Sequence, residues 1–417
     1  MNISKDISKE REHLNFVIVG HIDHGKSTLI GRLLYDTDSI PESIIDDVRT
    51  TSEAIGKKME FAYLLDSLKE EREQNITIDT TQTFFKSEKR DYIIIDAPGH
   101  KEFLKNMITG ASLANAAILM VDSSVGLQEQ SRRHAFILSL LGVKQIIVAI
   151  NKMDLVDYRE DVYEKIRSEV VEFLMKVNLK PSYVIPVSAK EGDNIITYSS
   201  NMSWYDAKNV LEALDSFEPS ASLDKKPLRF PVQDVYNIDD KKIYVGKLES
   251  GSLKKGDEVF VLPENKKATI KSIEVWKQIK NKANAGDSIG LTFNEDIELK
   301  RGDIVCKEDA PQVSSLLQAT VFWMDDKDYQ ADEKLILKCA TQEVPCTITS
   351  IESRVDSSSL DVIEGDRSIM KSTEAAKLSI KTDKPLVTED FNKVEGLGRF
   401  VFTRENGDIV ASGIFGN

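Results

Sequence analysis

Between Phe16 and about Ser216 the chain alternates short apolar runs with longer amphipathic stretches. The runs FVIVG, DYIIIDAPG, AAILMVD, QIIVAINK and YVIPVSA have the near-continuous apolar texture of strands buried on both faces, the habit of a parallel sheet. Between them, KSTLIGRLLY, HKEFLKNMITGASL, EQSRRHAFILSLL and EDVYEKIRSEVVEFLMKV have helical spacing and length. This alternation predicts an α/β domain with a doubly wound, mostly parallel sheet, whose ligands sit beyond the carboxyl ends of the strands. The texture changes at residues 217–227, FEPSASLDKKP, which have the composition of a linker. Beyond it, RFPVQDVY, KIYVGKLESG, GDEVFVLP and ATIKSIEVW follow at even spacing, separated by turns such as KKGD and NAGD. Short, evenly spaced strands predict a β-barrel or sandwich. A second turn-rich break at 307–315 precedes a last set of strands, in which ENGD predicts a hairpin turn. The expected domains are residues 1–218, with the α/β sheet, then β-barrels at 226–309 and 312–417.

Length and composition fit that division. A chain of 417 residues is long for one core and suggests two to four domains. With 41% hydrophobic and 30% charged residues it reads as globular. No apolar run reaches the roughly 18 residues of a membrane span, and MNISKDISKEREHLN is too charged for a signal peptide, so a cytoplasmic location is expected. Cys306, Cys339 and Cys346 lack CxxC or CxxH spacing and are expected to be reduced and buried. The net charge of −14 argues against a large non-specific nucleic-acid surface, although a local basic patch can hide in an acidic total.

Candidate chemistry gathers where strands of the first domain end. Gly20, His21, Ile22, Asp23, His24, Gly25, Lys26 and Ser27, with Thr28 next, satisfy G-x-x-x-x-G-K-[ST] after a strand and at the start of a helix. Backbone N–H groups of such a loop surround phosphates, Lys26 would reach the outer ones, and Ser27 would ligate Mg2+. Asp96 in DAPG can hold magnesium through water, and the Gly99 N–H can meet a γ-phosphate. In NKMD, Asn151, Lys152 and Asp154 follow another strand. The Asp154 carboxylate can accept from the N1–H and amine of guanine, a donor pair that adenine lacks. Ser188, Ala189 and Lys190 end the next strand and fit a backbone contact to the guanine oxygen. Together, in this order, these pieces predict a site for GTP and GDP.

In these motifs the sequence resembles the translation-factor class of GTPases, the superfamily of elongation factor Tu, over nearly the whole chain. The resemblance implies a P-loop GTPase domain followed by two β-barrels. It implies that EREQNITID is the first switch, with Thr77 joining the magnesium shell in the GTP state and Asn75 standing where the family usually has glycine. His100 matches the family's histidine that orients the attacking water, and Ile22 falls where the family places an apolar gate. No arginine finger is assigned, so hydrolysis is expected to wait for a partner.

Within the class, residues 130–158 (QSRRHAFILSLLGVKQIIVAINKMDLVDY), NMSWYDAKNVLEALD, LRFPVQDVY and ELKRGDIV with VFWM resemble sulfate adenylyltransferase subunit 1. The resemblance implies a GTP-hydrolysing regulatory subunit that couples hydrolysis to formation of adenosine 5′-phosphosulfate from ATP and sulfate. The partner would be the separate catalytic subunit, in a heterodimer or higher oligomer, with no membrane and no nucleic acid involved. GHIDHGKST, DAPGHKEFLKNMITGAS and GLGRFVFTR instead resemble elongation factor 1-alpha and its relatives. Those imply the alternative: a translation GTPase binding aminoacyl-tRNA or a release factor.

Overall fold

The computed structural model describes residues 12–54, 61, 63–64, 82–96, 114–218, 223–238, 241–275, 278–331 and 333–416. The chain forms two compact units, 1–220 and 221–417. Among the described residues no helix is long and apolar enough to cross a membrane.

Among the described residues the first unit is built on six strands: β1 (His13–Gly20), β2 (Gln82–Lys86), β3 (Asp91–Asp96), β4 (Ala116–Asp122), β5 (Gln145–Asn151) and β6 (Tyr183–Pro186). Their order across the sheet is β2-β3-β1-β4-β5-β6, parallel except for β2 on the edge. Every residue of β4 is buried, as expected of a strand covered on both faces. Helices with described bounds include α1 (Lys26–Asp36), α2 (Glu42–Ala54), α3 (Glu129–Leu140), α4 (Glu160–Lys176) and α5 (Val210–Asp215). Leu29, Ile30, Leu33 and Leu34 of α1 pack with Phe16 and Ile18 of β1 and Met120 of β4 in one core. The chain runs from β1 to neighbours on opposite sides, β3 and β4, so the switch point of the sheet lies at the carboxyl end of β1.

Three elements of this unit, β2, α2 and α5, have no counterpart in the sequence pattern above. The edge strand β2 is five residues long and alternates, burying Thr83 and Phe85 while Phe84 stays exposed. Helix α2 follows Pro41 and, among its described side chains, buries the narrow stripe of Ile44 and Val48. HKEFLKNMITGASL, read above as a helix, lies outside the described residues.

Among its described residues the second unit holds two large antiparallel sheets, each around its own apolar core, and two small two-stranded ones. The first has eight strands between Arg229 and Cys306. The second is a closed six-stranded barrel, in hydrogen-bonding order Gln312–Trp323, Glu374–Thr388, Gln342–Asp356, Leu335–Cys339, Arg399–Thr403 and Ile409–Phe415. ENGD makes the hairpin between the last two strands, with Gly407 at φ 89°. The two sheets meet through buried Leu262, Ile304, Cys306, Val387 and Leu397. Beside them the fully buried Arg229 donates from Nε to Glu389 Oε2 at 3.0 Å. All three cysteines are free and buried.

Candidate nucleotide site

At the carboxyl end of β1 the chain turns through residues 20–25 into α1. Gly20 (φ 151°) leaves the strand so close to β4 that a Cβ would stand 2.6 Å from the Met120 carbonyl oxygen. Gly25 (φ 91°) starts the helix in left-handed backbone, and a Cβ there would meet Asn151 Nδ2 at 2.3 Å. Both glycines are therefore required by backbone conformation and by space. The helix begins without a side-chain cap and without an acidic residue in its first turn, so its N-terminal field is left for an anion. Half-buried Ser27 and Thr28 belong to that turn, Ile22 is half-buried in the loop, and Asp23 is exposed at φ 61°.

Lys26 folds back over the loop, its Nζ donating to the carbonyls of Gly20 (2.9 Å) and His21 (2.8 Å). Burial lowers its pKa, opposed by the carboxylates of Asp96 and Asp23. Asp96 closes β3, which pairs with β1 in the register Ile18 to Asp96, and so stands beside the loop.

The loop is held from behind by residues the motifs do not contain. On α3, His134 Nδ1 accepts from the Gly20 N–H at 3.1 Å and Ser131 Oγ accepts from the His21 N–H at 3.1 Å. His24 turns inward and donates from Nδ1 to the Met120 carbonyl at 3.2 Å. Burial pushes the His24 imidazole down to about 4, against the pull of that bond. His134 is fully buried, and burial, then the charge of Lys26, pushes it down to about 3. Both rings are therefore neutral at neutral pH, as an accepting Nδ1 requires of His134.

Asn151 joins the phosphate loop to the loops after β5 and β6. Its Nδ2 donates to the His24 carbonyl at 2.9 Å and its Oδ1 accepts from the Ala189 N–H at 2.9 Å. Lys152 takes left-handed backbone (φ 63°) and pairs through Nζ with Asp122 Oδ2 at 2.7 Å. Burial alone would raise the Asp122 carboxyl, but bonds from Lys152 and Ser124 hold it below its ordinary range. Asp154 lies in the short 3-10 turn Met153–Val156 and accepts from Ser188 Oγ at 2.6 Å. Lys190 is exposed, and its carbonyl takes a long 3.4 Å bond from Arg32 of α1.

The structure thus brings Gly20, His21, Ile22, Asp23, His24, Gly25, Lys26, Ser27, Thr28, Asp96, Asn151, Lys152, Asp154, Ser188, Ala189 and Lys190 to one end of the sheet. Thr77, Gly99 and His100, with Asn75, lie outside the described residues. Sequence reasoning missed Ser131, His134 and Asp122 as supports. RRH at 132–134 was legible only as a marker of family, because its contact with the loop spans 114 residues of chain.

Comparison with known families follows the same layout. The family described as Elongation factor Tu GTP binding domain matches residues 11–220, Elongation factor Tu domain 2 matches 242–306, and GTP-eEF1A C-terminal domain-like matches 316–415. Among curated proteins, the elongation factor 1-alpha of Natronomonas pharaonis is 40% identical over 98% of both chains. That of Methanopyrus kandleri is 39% identical, again over 98% of both. That of Pyrococcus horikoshii is 39% identical over 97% of this chain and 98% of its own.

These full-length relatives overturn the expectation of a sulfate adenylyltransferase subunit, and with it the coupling of GTP hydrolysis to sulfate activation. The physical reason lies in what the quoted stretches build. Residues 130–158 form most of α3, then β5 and the turn with Asp154, while residues 201–215 run into α5. Those are parts of a nucleotide scaffold that both branches need, so agreement there does not separate them. The chain belongs to the elongation factor Tu and elongation factor 1-alpha family of GTPases.

Proposed function

We propose that the chain is a translation GTPase of the elongation factor 1-alpha type, which binds aminoacyl-tRNA in its GTP state and releases it after hydrolysis. The similarity that spans the whole chain, at 39–40% identity to relatives of that name, carries the proposal. Charge distribution supports it. Although the chain is acidic as a whole, residues 241–282 hold eleven lysines against five acidic residues. Lys254, Lys255, Lys271 and Lys282 are exposed there and have no ion pair among the described residues. Such lysines suit a phosphate backbone.

For the nucleotide, we assign the phosphates to the backbone N–H groups of 23–28 and to Lys26, and the guanine edge to Asp154, with the Ala189 region against its oxygen. The Gly25 cradle, the uncapped helix and the hydroxyl and carboxylate of Ser27 and Asp96 suit a phosphate-bound hard cation. Ser27 and Asp96, through water, would hold Mg2+, joined by Thr77 with GTP bound; the ion supplies charge neutralisation at the phosphate oxygens. His100 orients water for in-line attack on the γ-phosphorus, the bond to the bridging oxygen breaks, and Lys26 stabilises the charge that moves onto GDP.

The test is binding of aminoacylated and deacylated tRNA by the GTP-loaded and GDP-loaded protein across a salt series. Tight binding confined to charged tRNA and the GTP form, weakening as salt rises, is the expected result. Equal affinity in both nucleotide states, or no binding of charged tRNA, would overturn the assignment.

A further inference from the structure

The turn that carries Asp154 ends on two consecutive non-glycine residues in left-handed backbone, Asp157 (φ 53°) and Tyr158 (φ 54°). That region is sparsely populated, and residues persist in it where their surroundings over-determine them. Two bonds fix the Tyr158 backbone, and its phenol bonds Asp193. Its N–H donates to the Met153 carbonyl at 2.9 Å, and its own carbonyl accepts from the indole Nε1–H of Trp204 at 3.1 Å.

Trp204 comes 46 residues later in the chain, on the loop between β6 and α5. Its ring packs against Tyr163 of α4, with centroids 5.2 Å apart, and edge-on to Tyr205 at 6.4 Å. Those neighbours are themselves tied down: Tyr163 Oη donates to the Val184 carbonyl and Tyr205 Oη to the Lys208 carbonyl, both at 2.9 Å. The indole donor is therefore presented at a fixed point. The same loop begins at Ser188, whose hydroxyl donates to the Asp154 carboxylate. One segment, 188–204, thus grips the turn at three points: the Asp154 carboxylate, the Tyr158 phenol and the backbone where the turn leaves.

We propose that Trp204 is a positioning residue for base recognition: through the Tyr158 carbonyl it fixes the turn that aims Asp154 at the guanine edge. This role rests on the assignment of Asp154 to guanine. Trp204 touches no nucleotide atom in it, and its effect is confined to the base end of the site.

Two replacements separate the hydrogen bond from the packing. Trp204→Phe removes the donor and keeps an aromatic ring; 3-benzothienylalanine at position 204 keeps the two-ring shape and removes only the N–H. The measurement is equilibrium affinity for GDP and for IDP, whose hypoxanthine lacks the exocyclic amine that a carboxylate accepts from guanine. Affinity for GDP is expected to fall about 3- to 10-fold, the size of one lost orienting hydrogen bond, while IDP falls less and the GDP-to-IDP ratio shrinks. Equal losses for both nucleotides, or an unchanged ratio in the benzothienyl variant, would show that the indole only packs and would overturn the role. Asp154→Asn, measured alongside, tests the underlying assignment separately. It should move preference from GDP to XDP, and retention of guanine selectivity would remove the base assignment and the Trp204 role with it.

Discussion

At the scale of single residues, the site divides groups that do chemistry from groups that hold them. His100 is assigned to the first kind. His100→Ala should leave the GTP dissociation constant within about twofold and slow single-turnover hydrolysis by about 10²-fold or more. Parallel losses of binding and turnover would contradict the water-orienting role. His24 and His134 are of the second kind, buried and neutral with pKa values pushed down to about 4 and about 3. The sign follows from the unfolded chain, where the same imidazoles titrate near 6.5 and take up protons first as the pH falls. Their contribution is complete above pH 6.5 and is lost on acidification towards the folded values, by about 1.4 kcal/mol per pH unit for each ring. Urea unfolding between pH 7 and pH 5 should show that slope. His134→Gln, which keeps an acceptor for the Gly20 N–H, should shed one ring's share of it.

At the scale of elements, what could be read from sequence was what is local. β1, β4 and β5 declare themselves because both faces are buried and the apolar run is unbroken. β2 does not, since an edge strand of five residues with Phe84 in solvent has no such run. Likewise, the residues of the phosphate loop are contiguous and carry a spacing. Ser131, His134 and Trp204 reach the site from 46 to 114 residues away, and no local pattern reports them. A second long-range joint closes the first unit. Arg90, in the turn between β2 and β3, is buried and donates to the Phe217 carbonyl at 2.7 Å and, at 3.4 Å, to that of Asp215, where α5 ends. Asp215 also accepts from Ser87 Oγ at 2.7 Å and from Tyr92 Oη at 2.5 Å. Arg90→Met would take the donor from the Phe217 carbonyl, while Lys89 still serves that of Asp215, and should cost about 1–3 kcal/mol. Thermal unfolding should register that loss while the ratio of GTP to GDP affinity stays constant.

At the scale of the whole molecule, the chain is a nucleotide-binding unit followed by a unit in which an antiparallel sheet and a closed barrel share a buried seam. The Arg229 to Glu389 pair sits in that seam, so its two ends are worth more together than either is alone. Glu389→Ala strands a buried guanidinium and should destabilise the second unit by about 3–5 kcal/mol. Arg229→Met with Glu389→Leu removes both charges and should come closer to neutral, a comparison that chemical denaturation can make. Within the first unit, the Asn151 amide has a consequence of another sort. One side chain donates to the phosphate loop and accepts from the loop after β6, so neither half of the site can shift without the other. Towards a ligand that spans both halves the site behaves as a chelator: once one end is seated, the other binds at a high effective concentration. Guanosine and inorganic triphosphate supplied together offer nearly every contact that GTP offers. They should still bind far more weakly, because two separate molecules forgo that linkage.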